Sequence, residues 1–251
     1  MRSAFSRLLP ATWLVLCFAA LPVRSEPPTI GTDALIAKLS GSANAGRPTV
    51  IDVRSWVEFQ DAHVAGAIHI PSDSVAQRLP EKVRDKKREL VFYCGGPRCP
   101  NSRQAAEAAI ELGYSRVAYY QEGLAAWQAA KAPVEAGSPL PVITPVFVTS
   151  KEVLPALEQP RPDLVVVDVR SRKEYGAFHL DRSMNIPLDE LEEKSKKLKG
   201  KKIVLVCHAG GQSLVAARLL SKTGRKDMCV LKGGLVEWQR ARLPHLVGQT
   251  P

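Results

Sequence analysis

An α/β fold built twice, each copy a mainly parallel sheet covered by helices on both faces, is predicted by three features of this 251-residue chain. The chain repeats itself: VIDVRSWVEFQDAHVAGAIHIP at 50–71 aligns with VVDVRSRKEYGAFHLDRSMNIP at 166–187. Runs of β-branched residues without polar alternation, TVIDV and LVVVDV, alternate with helical patterns, as expected of parallel strands buried on both faces. A proline-rich stretch, SPLPVITP at 138–145, separates the copies, and proline at that density resists both helix and central strand. Each copy is of domain size, about a hundred residues, and too long for a solenoid unit. The expected division is a first domain over 26–137, a connector over 138–146 and a second domain over 147–251.

The first residues stand apart from the repeats. MRSAFSR carries Arg2 and Arg7 and no acid, and ATWLVLCFAAL (11–21) suits the apolar region of a secretory signal while being too short to span a bilayer. Val23 and Ser25 fall at the −3 and −1 positions of a cleavage site before Glu26. Cys17 follows Leu16, where lipid attachment requires a small residue, so no lipoprotein is expected. Residues 1–25 are therefore read as a signal peptide. The expected location is exported, periplasmic in a Gram-negative bacterium and otherwise secreted, with no stable membrane anchor after cleavage. Removing Arg2, Arg7 and Arg24 takes the net charge from +10 to +7, and Cys94, Cys99, Cys207 and Cys229 remain. An even cysteine count in an exported chain permits disulfides.

Each copy opens with a short helix, TDALIAKL and then TSKEVLPALE, the second with Thr149 and Glu152 spaced as a capping box. The buried strands TVIDV and LVVVDV follow, then an acidic helical stretch, then a short apolar piece ending in Pro71 or Pro187. A charged helix leads to the strands ELVFYC and KIVLVC. SRQAAEAAIELG and SLVAARLLSKTG read as helices ended by Gly113 and Gly224. The last strands, RVAYY and MCVL, run into EGLAAW and GGLVEW. Sites in such sheets form beyond the carboxyl ends of strands, where Cys94 and Cys207 stand.

The register of the repeat singles out one loop. Asp52 pairs with Asp168, Arg54 with Arg170, Glu58 with Glu174 and His63 with His179, at an offset of 116; Cys94 pairs with Cys207 at 113; Ser102 pairs with Ser213 and Trp127 with Trp238 at 111. The second drop falls inside the cysteine loop, so CGGPRCPNS is two residues longer than CHAGGQS. Cys94 has a repeat partner and Cys99 has none.

These residues resemble the rhodanese family: DVR followed by E-[FY], the HV or HL segment leading to IP, a strand-terminal cysteine loop before a helix of small residues, and GG-x-x-x-W, all in order and twice. The resemblance implies two tandem rhodanese-like domains and a cysteine that takes sulfane sulfur from a donor such as thiosulfate and passes it to a thiophilic acceptor. It also implies a six-residue active loop, which Cys207, His208, Ala209, Gly210, Gly211 and Gln212 supply before Ser213. The longer loop around Cys94 departs from that pattern. The expected nucleophiles are Cys207 and, as a second site, Cys94. His208, Ala209, Gly210, Gly211, Gln212, Ser213, Gly95, Gly96 and Arg98 form the substrate-binding loops, and Cys99 is a redox partner for Cys94. Small sulfur-containing anions are the expected ligands, with a thiol protein as a further acceptor; no cofactor, metal or nucleic acid is expected.

The chemistry needs a thiolate. A loop that curls around the sulfur aims backbone N–H groups at it, and the following helix adds the positive end of its dipole, so a lowered pKa is expected. Gly210 and Gly211, or Gly95 and Gly96, are expected to take unusual dihedrals. His208 is a candidate for anion binding or for tuning the thiolate, and Arg98 for binding an oxyanion. Asp52 with Arg54 and Asp168 with Arg170 read as structural ion pairs, Trp127 and Trp238 as core covers, His63 and His179 as scaffold, and Cys229, paired with Ala118, as core. The basic runs KVRDKKR and KSKKLKGKK read as solvated helix faces. Two other functions stay open: thiol–disulfide redox or sulfur-carrier work by Cys94 and Cys99, and a rhodanese-like binding module without turnover. Neither loop carries the Cys-x5-Arg pattern that clamps phosphate.

Overall fold

The computed structural model of the protein describes residues 26–41 and 46–248; the expected signal peptide lies outside the described residues. The first copy forms a parallel sheet of four strands in the order Ile68–His69, Thr49–Asp52, Leu90–Tyr93, Val117–Tyr120. The second forms a parallel sheet of five, in the order Met184–Asn185, Leu164–Asp168, Lys202–Val206, Met228–Leu231, Phe147–Val148. The additional edge strand corresponds in the first sheet to the single bridge between Thr29 and Tyr119. In each copy the strand that leads to the cysteine is central, which buries it on both faces and explains its unbroken apolar run.

Alternate residues of each strand feed two cores. In the first domain Ile51, Leu90 and Phe92 pack with Leu79 and the helix alanines Ala105, Ala106 and Ala109 on one face, while Val50, Val91 and Tyr93 pack with Leu35 and Trp127 on the other. In the second, Val167, Ile203 and Leu205 meet Ala216, Ala217 and Leu220, and Val166, Val204 and Val206 meet Val153, Leu157, Cys229 and Trp238. Trp127, Trp238 and Cys229 are thus core residues, and alanines bring the helix after each cysteine loop close to its sheet. Two short antiparallel ribbons, His63–Val64 with Val134–Glu135 and Phe178–Leu180 with Leu246–Gly248, were not expected from the sequence pattern.

Polar groups lock the strand ends. Asp52 and Arg54 are buried and paired at 2.6 Å, Arg54 donates to the Ala62 carbonyl at 2.7 Å, and the Tyr93 hydroxyl donates to Asp52 at 2.6 Å. Asp168 and Arg170 repeat the pair at 2.6 Å, with Arg170 donating to the Phe178 carbonyl at 2.7 Å. His63 and His179 hydrogen-bond through Nδ1 to Phe59 O and Tyr175 O and stack on those same rings. The helices Trp56–Asp61 and Arg172–Ala177 each start with a full capping box, Ser55 with Glu58 and Ser171 with Glu174, and Thr149 with Glu152 makes the third.

The domains touch through more than the connector. Asp189 of the second domain accepts from Trp56 N at 3.0 Å and Val57 N at 2.9 Å, placing a carboxylate at the N-terminus of a first-domain helix. Val57 packs against the core of the second domain, as do Leu140 and Ile143 of the connector. Arg218 binds the Asp61 carboxylate and donates to Leu140 O at 2.7 Å and Pro141 O at 3.0 Å. Residues 138–146 carry no helix or strand, and Leu140 anchors them: it is buried, while Ser138 and Pro139 before it and Pro141 and Val142 after it are exposed, Val142 to 95%.

Candidate functional site

The Cys207 loop begins where the strand Lys202–Val206 ends and closes into the helix Gly211–Lys222. Cys207 is a free, buried thiol. Its sulfur accepts from Gly210 N at 3.1 Å and Ser213 N at 3.3 Å, two backbone donors from the loop and the helix start. Gly210 permits this with φ at +96°, a value costly for any residue with a Cβ. The unusual dihedral falls on Gly210 alone among the four loop glycines; Gly211, Gly95 and Gly96 lie outside the left-handed region, so that part of the expectation is corrected.

The thiol pKa also departs from expectation. Burial pushes the Cys207 thiol up, and the donors from Ser213, Gly210 and Ala209 only partly offset this. The physical reason is that a nearly dry site penalises the anion more than a few neutral N–H groups stabilise it. Ser213 Oγ is wholly buried and lacks a hydrogen-bond partner. The Ser213 side chain is nonetheless the largest of the influences that work against the rise in the Cys207 pKa, so its hydroxyl faces the sulfur. His208 is half-buried, its ring edge-on to Phe178 at 6.3 Å, and burial together with Arg170 lowers its pKa. That shift favours the uncharged ring, which keeps one N–H to donate and one nitrogen to accept.

The loop is held from behind by the helix Gly234–Arg240. Leu235 N donates to Cys207 O at 3.0 Å and Val236 N to His208 O at 3.0 Å. Gly234 has φ +60°, and a Cβ there would strike the Cys207 carbonyl and lie 2.7 Å from His208 O. Gly123 does the same for the first loop, where Leu124 N donates to Cys94 O at 2.9 Å and Ala125 N to Gly95 O at 3.2 Å. Sequence reasoning noted the Gly and Trp spacing of these helices without assigning the glycines this role.

In the first loop Cys94 and Cys99 are joined by a disulfide, with Cα atoms 6.3 Å apart, inside the usual range. Cys99 N donates to Gly96 O at 3.0 Å, turning the chain through Pro97 and Arg98. Cys94, expected as a second nucleophile, therefore has no free thiol here. The reason is the two-residue insertion, which supplies Cys99 and the turn that brings it back.

Both loops open into one cleft of about 760 Å³ between the domains, lined by Cys94, Arg98, Cys99, Cys207, His208 and Gln212 among others. Arg98 Nη2 donates to Ala209 O at 3.4 Å, and Gln212 Nε2 to Glu58 Oε2 at 3.2 Å, so each domain contacts the other's loop or its surroundings. Burial raises the Glu58 pKa against the opposing pull of Arg54. Glu58, Asp61 and Asp189 were missed as cleft residues; for Glu58 the repeat pairing with Glu174 and the Ser-x-x-Glu spacing at 55–58 were the signals, and both speak of helix capping. Among the described residues no group of three or more His, Cys, Asp or Glu is placed to hold a metal ion.

A thiol at the end of a central parallel strand, enclosed by a backbone loop and a helix start, in one of two duplicated α/β domains, defines a cysteine-loop protein. The rhodanese-like domain model matches residues 35–130 and again 149–241, and the chain belongs to that family. Among curated relatives, the thiosulfate sulfurtransferase PspE of Escherichia coli (strain K12) is 42% identical over 67 residues, 27% of this chain and 62% of that protein. The putative sulfur carrier protein YrkF of Bacillus subtilis is 34% identical over 76 residues, 30% of this chain and 41% of that protein. The HTH-type transcriptional regulator Rv0324 of Mycobacterium tuberculosis is 36% identical over 104 residues, 41% of this chain and 45% of that protein. The matches thus span less than two thirds of the length of these relatives. Among solved structures, a thiosulfate sulfurtransferase from Pseudomonas aeruginosa is 22% identical, with a TM-score of 0.38, over 82% of this chain and 43% of that one.

Proposed function

We propose that the protein is a sulfurtransferase that carries sulfane sulfur as a persulfide on Cys207, with a thiosulfate-like anion as donor. The observation that carries this reading is the Cys207 sulfur itself, a free thiol at a strand end that accepts two backbone N–H groups at 3.1 and 3.3 Å. The Cys207 thiolate attacks the outer sulfur of thiosulfate; a new S–S bond forms, the donor S–S bond breaks, and sulfite leaves with the electron pair. A nucleophile such as cyanide or a thiol then attacks the outer sulfur and releases the Cys207 thiolate. Gly210 N, Ser213 N and the unpartnered Ser213 hydroxyl are the groups available to the charge on the persulfide.

The disulfide favours a second reading for the first domain: Cys94 and Cys99 form a redox pair at a helix start, and exchange with an external dithiol, which is itself oxidised to a disulfide, returns Cys94 as a second sulfur-accepting thiol. An oxidising, exported location is the setting we propose, on the strength of residues 1–25 and that disulfide.

The test is intact-mass analysis after thiosulfate treatment and gel filtration. Cys207 is expected to gain one sulfur, about 32 Da, as the persulfide chemistry requires. Cys207→Ser is expected to lose most thiosulfate:cyanide activity, and full activity in that variant would remove the assignment.

A further inference from the structure

We infer that the disulfide-closed loop of the first domain is part of the second domain's site, and that Arg98 is the residue with which it binds the anionic end of the sulfur donor at Cys207. The inference rests on the sulfurtransferase reading above and adds the group that selects an anionic donor.

The four arginines that line the cleft separate into two kinds. Arg54 is paired with Asp52, Arg172 with Glu190 and Arg218 with Asp61. Arg98 makes no ion pair among the described residues; its recorded contact is the single 3.4 Å hydrogen bond from Nη2 to Ala209 O. That carbonyl belongs to the loop around Cys207, two residues beyond the nucleophile. The guanidinium is thus held at the rim of the Cys207 loop by one of its five N–H groups, and the others remain for a ligand. The rest of the immediate loop offers no competing cation. Burial disfavours charge on His208, and Ala209, Gly210, Gly211 and Gln212 carry none.

A donor that delivers its outer sulfur to Cys207 has to place its anionic oxygens away from that sulfur, toward the cleft. Among the described residues that line the cleft, Arg98 is the arginine without an ion pair, and it stands on that side. A guanidinium suits a sulfonate-type group because its planar fork matches two oxygens at once.

The insertion explains how a residue of the other domain comes to be there. The disulfide pins Cys99 to Cys94, and the Gly96–Cys99 hydrogen bond at 3.0 Å closes the turn, so Arg98 projects from a loop fixed at both ends. The same loop that lost its free thiol has gained a rigid mount for a cation. Arg98 is the binding residue in this arrangement, and the disulfide is its positioning element.

The experiment measures the thiosulfate concentration dependence of Cys207 persulfidation, read by intact mass, together with KM and kcat for sulfur transfer to cyanide. Arg98→Gln is expected to raise KM for thiosulfate about tenfold, the size of one partly exposed charge-assisted hydrogen bond, with a much smaller change in kcat. Arg98→Lys is expected to fall between, because it keeps the charge and loses the fork. S-methylthiolation of Cys207 by methyl methanethiosulfonate, an uncharged reagent that expels methanesulfinate and leaves a Cys207–S–S–CH3 disulfide, is expected to proceed at a rate little changed in either variant. The Cys94→Ser/Cys99→Ser double variant is expected to raise KM for thiosulfate in the same direction. A thiosulfate KM in Arg98→Gln within twofold of wild type, with Cys207 still persulfidated, overturns the inference. Equal losses in reaction with thiosulfate and with the uncharged thiosulfonate would also overturn it, by making Arg98 a structural residue. Absence of any persulfide on Cys207 in the wild-type protein would instead overturn the sulfurtransferase reading.

Discussion

The glycine behind the nucleophile gives the sharpest test of how the site is held. Gly234→Ala places a methyl group on the Cys207 carbonyl and against His208, at a residue whose φ is +60°. The left-handed conformation costs a residue with a Cβ about 1–2 kcal/mol. Overlap with backbone that cannot rotate away adds about 1–3 kcal/mol. The expected loss is therefore about 2–5 kcal/mol, all of it in the second domain. Gly211→Ala is the control: it lies in the same loop region, outside the left-handed region, with no heavy atom within 4 Å of the added Cβ. It is expected to be neutral or to stabilise by less than about 1 kcal/mol, through a stiffer unfolded chain. Urea unfolding followed by tryptophan fluorescence reads both, since Trp238 is buried in the second domain. The second-domain transition in Gly234→Ala is expected about 1–3 M urea lower, from a slope typical of a domain this size. Iodoacetamide is also expected to reach Cys207 faster, because two hydrogen bonds that hold the loop are displaced. Equal midpoints for the two alanine variants would refute the claim that this glycine anchors the loop.

Two further outcomes follow from the same geometry. Burial raises the Cys207 pKa, so alkylation of Cys207 in the native protein is expected to climb about tenfold per pH unit through neutrality and to level off above the ordinary thiol range near pH 8.5; a plateau reached below pH 7 would contradict the raised value. The sign for stability matches: the unfolded thiol ionises first, so this group costs stability as pH rises from the unfolded pKa to the folded one. Arg218→Ala, which strips Asp61, Leu140 O and Pro141 O of their partner, is expected to cost about 2 kcal/mol, less than a fully buried pair because the side chain is 23% exposed. Limited proteolysis of that variant is expected to cut the connector beyond Leu140 faster than in the wild type, and unchanged cutting would show that it is held by other contacts.

By itself the sequence determined whatever depends on near neighbours or on the repeat. The β-branched runs at 49–53 and 164–169 specify buried parallel strands, Thr149 and Glu152 specify a helix start, and the shared register puts Cys94 and Cys207 at equivalent strand ends. The odd length of the first loop was legible as well, because a second copy of the domain was there to measure it against. The tertiary structure alone decided which glycines carry the strain, how Cys99 is used and what faces Cys207. Gly234 matters because a helix from the far side of the sheet end packs onto the Cys207 carbonyl. Arg98 meets Ala209, Glu58 meets Gln212 and Asp61 meets Arg218 across separations of 111, 154 and 157 residues. Local patterning holds no record of such meetings, because residues so far apart come together only through the way the two domains dock. The rise in the Cys207 pKa has the same origin. The loop sequence shows the donors, while the burial that outweighs them is a property of the packed protein.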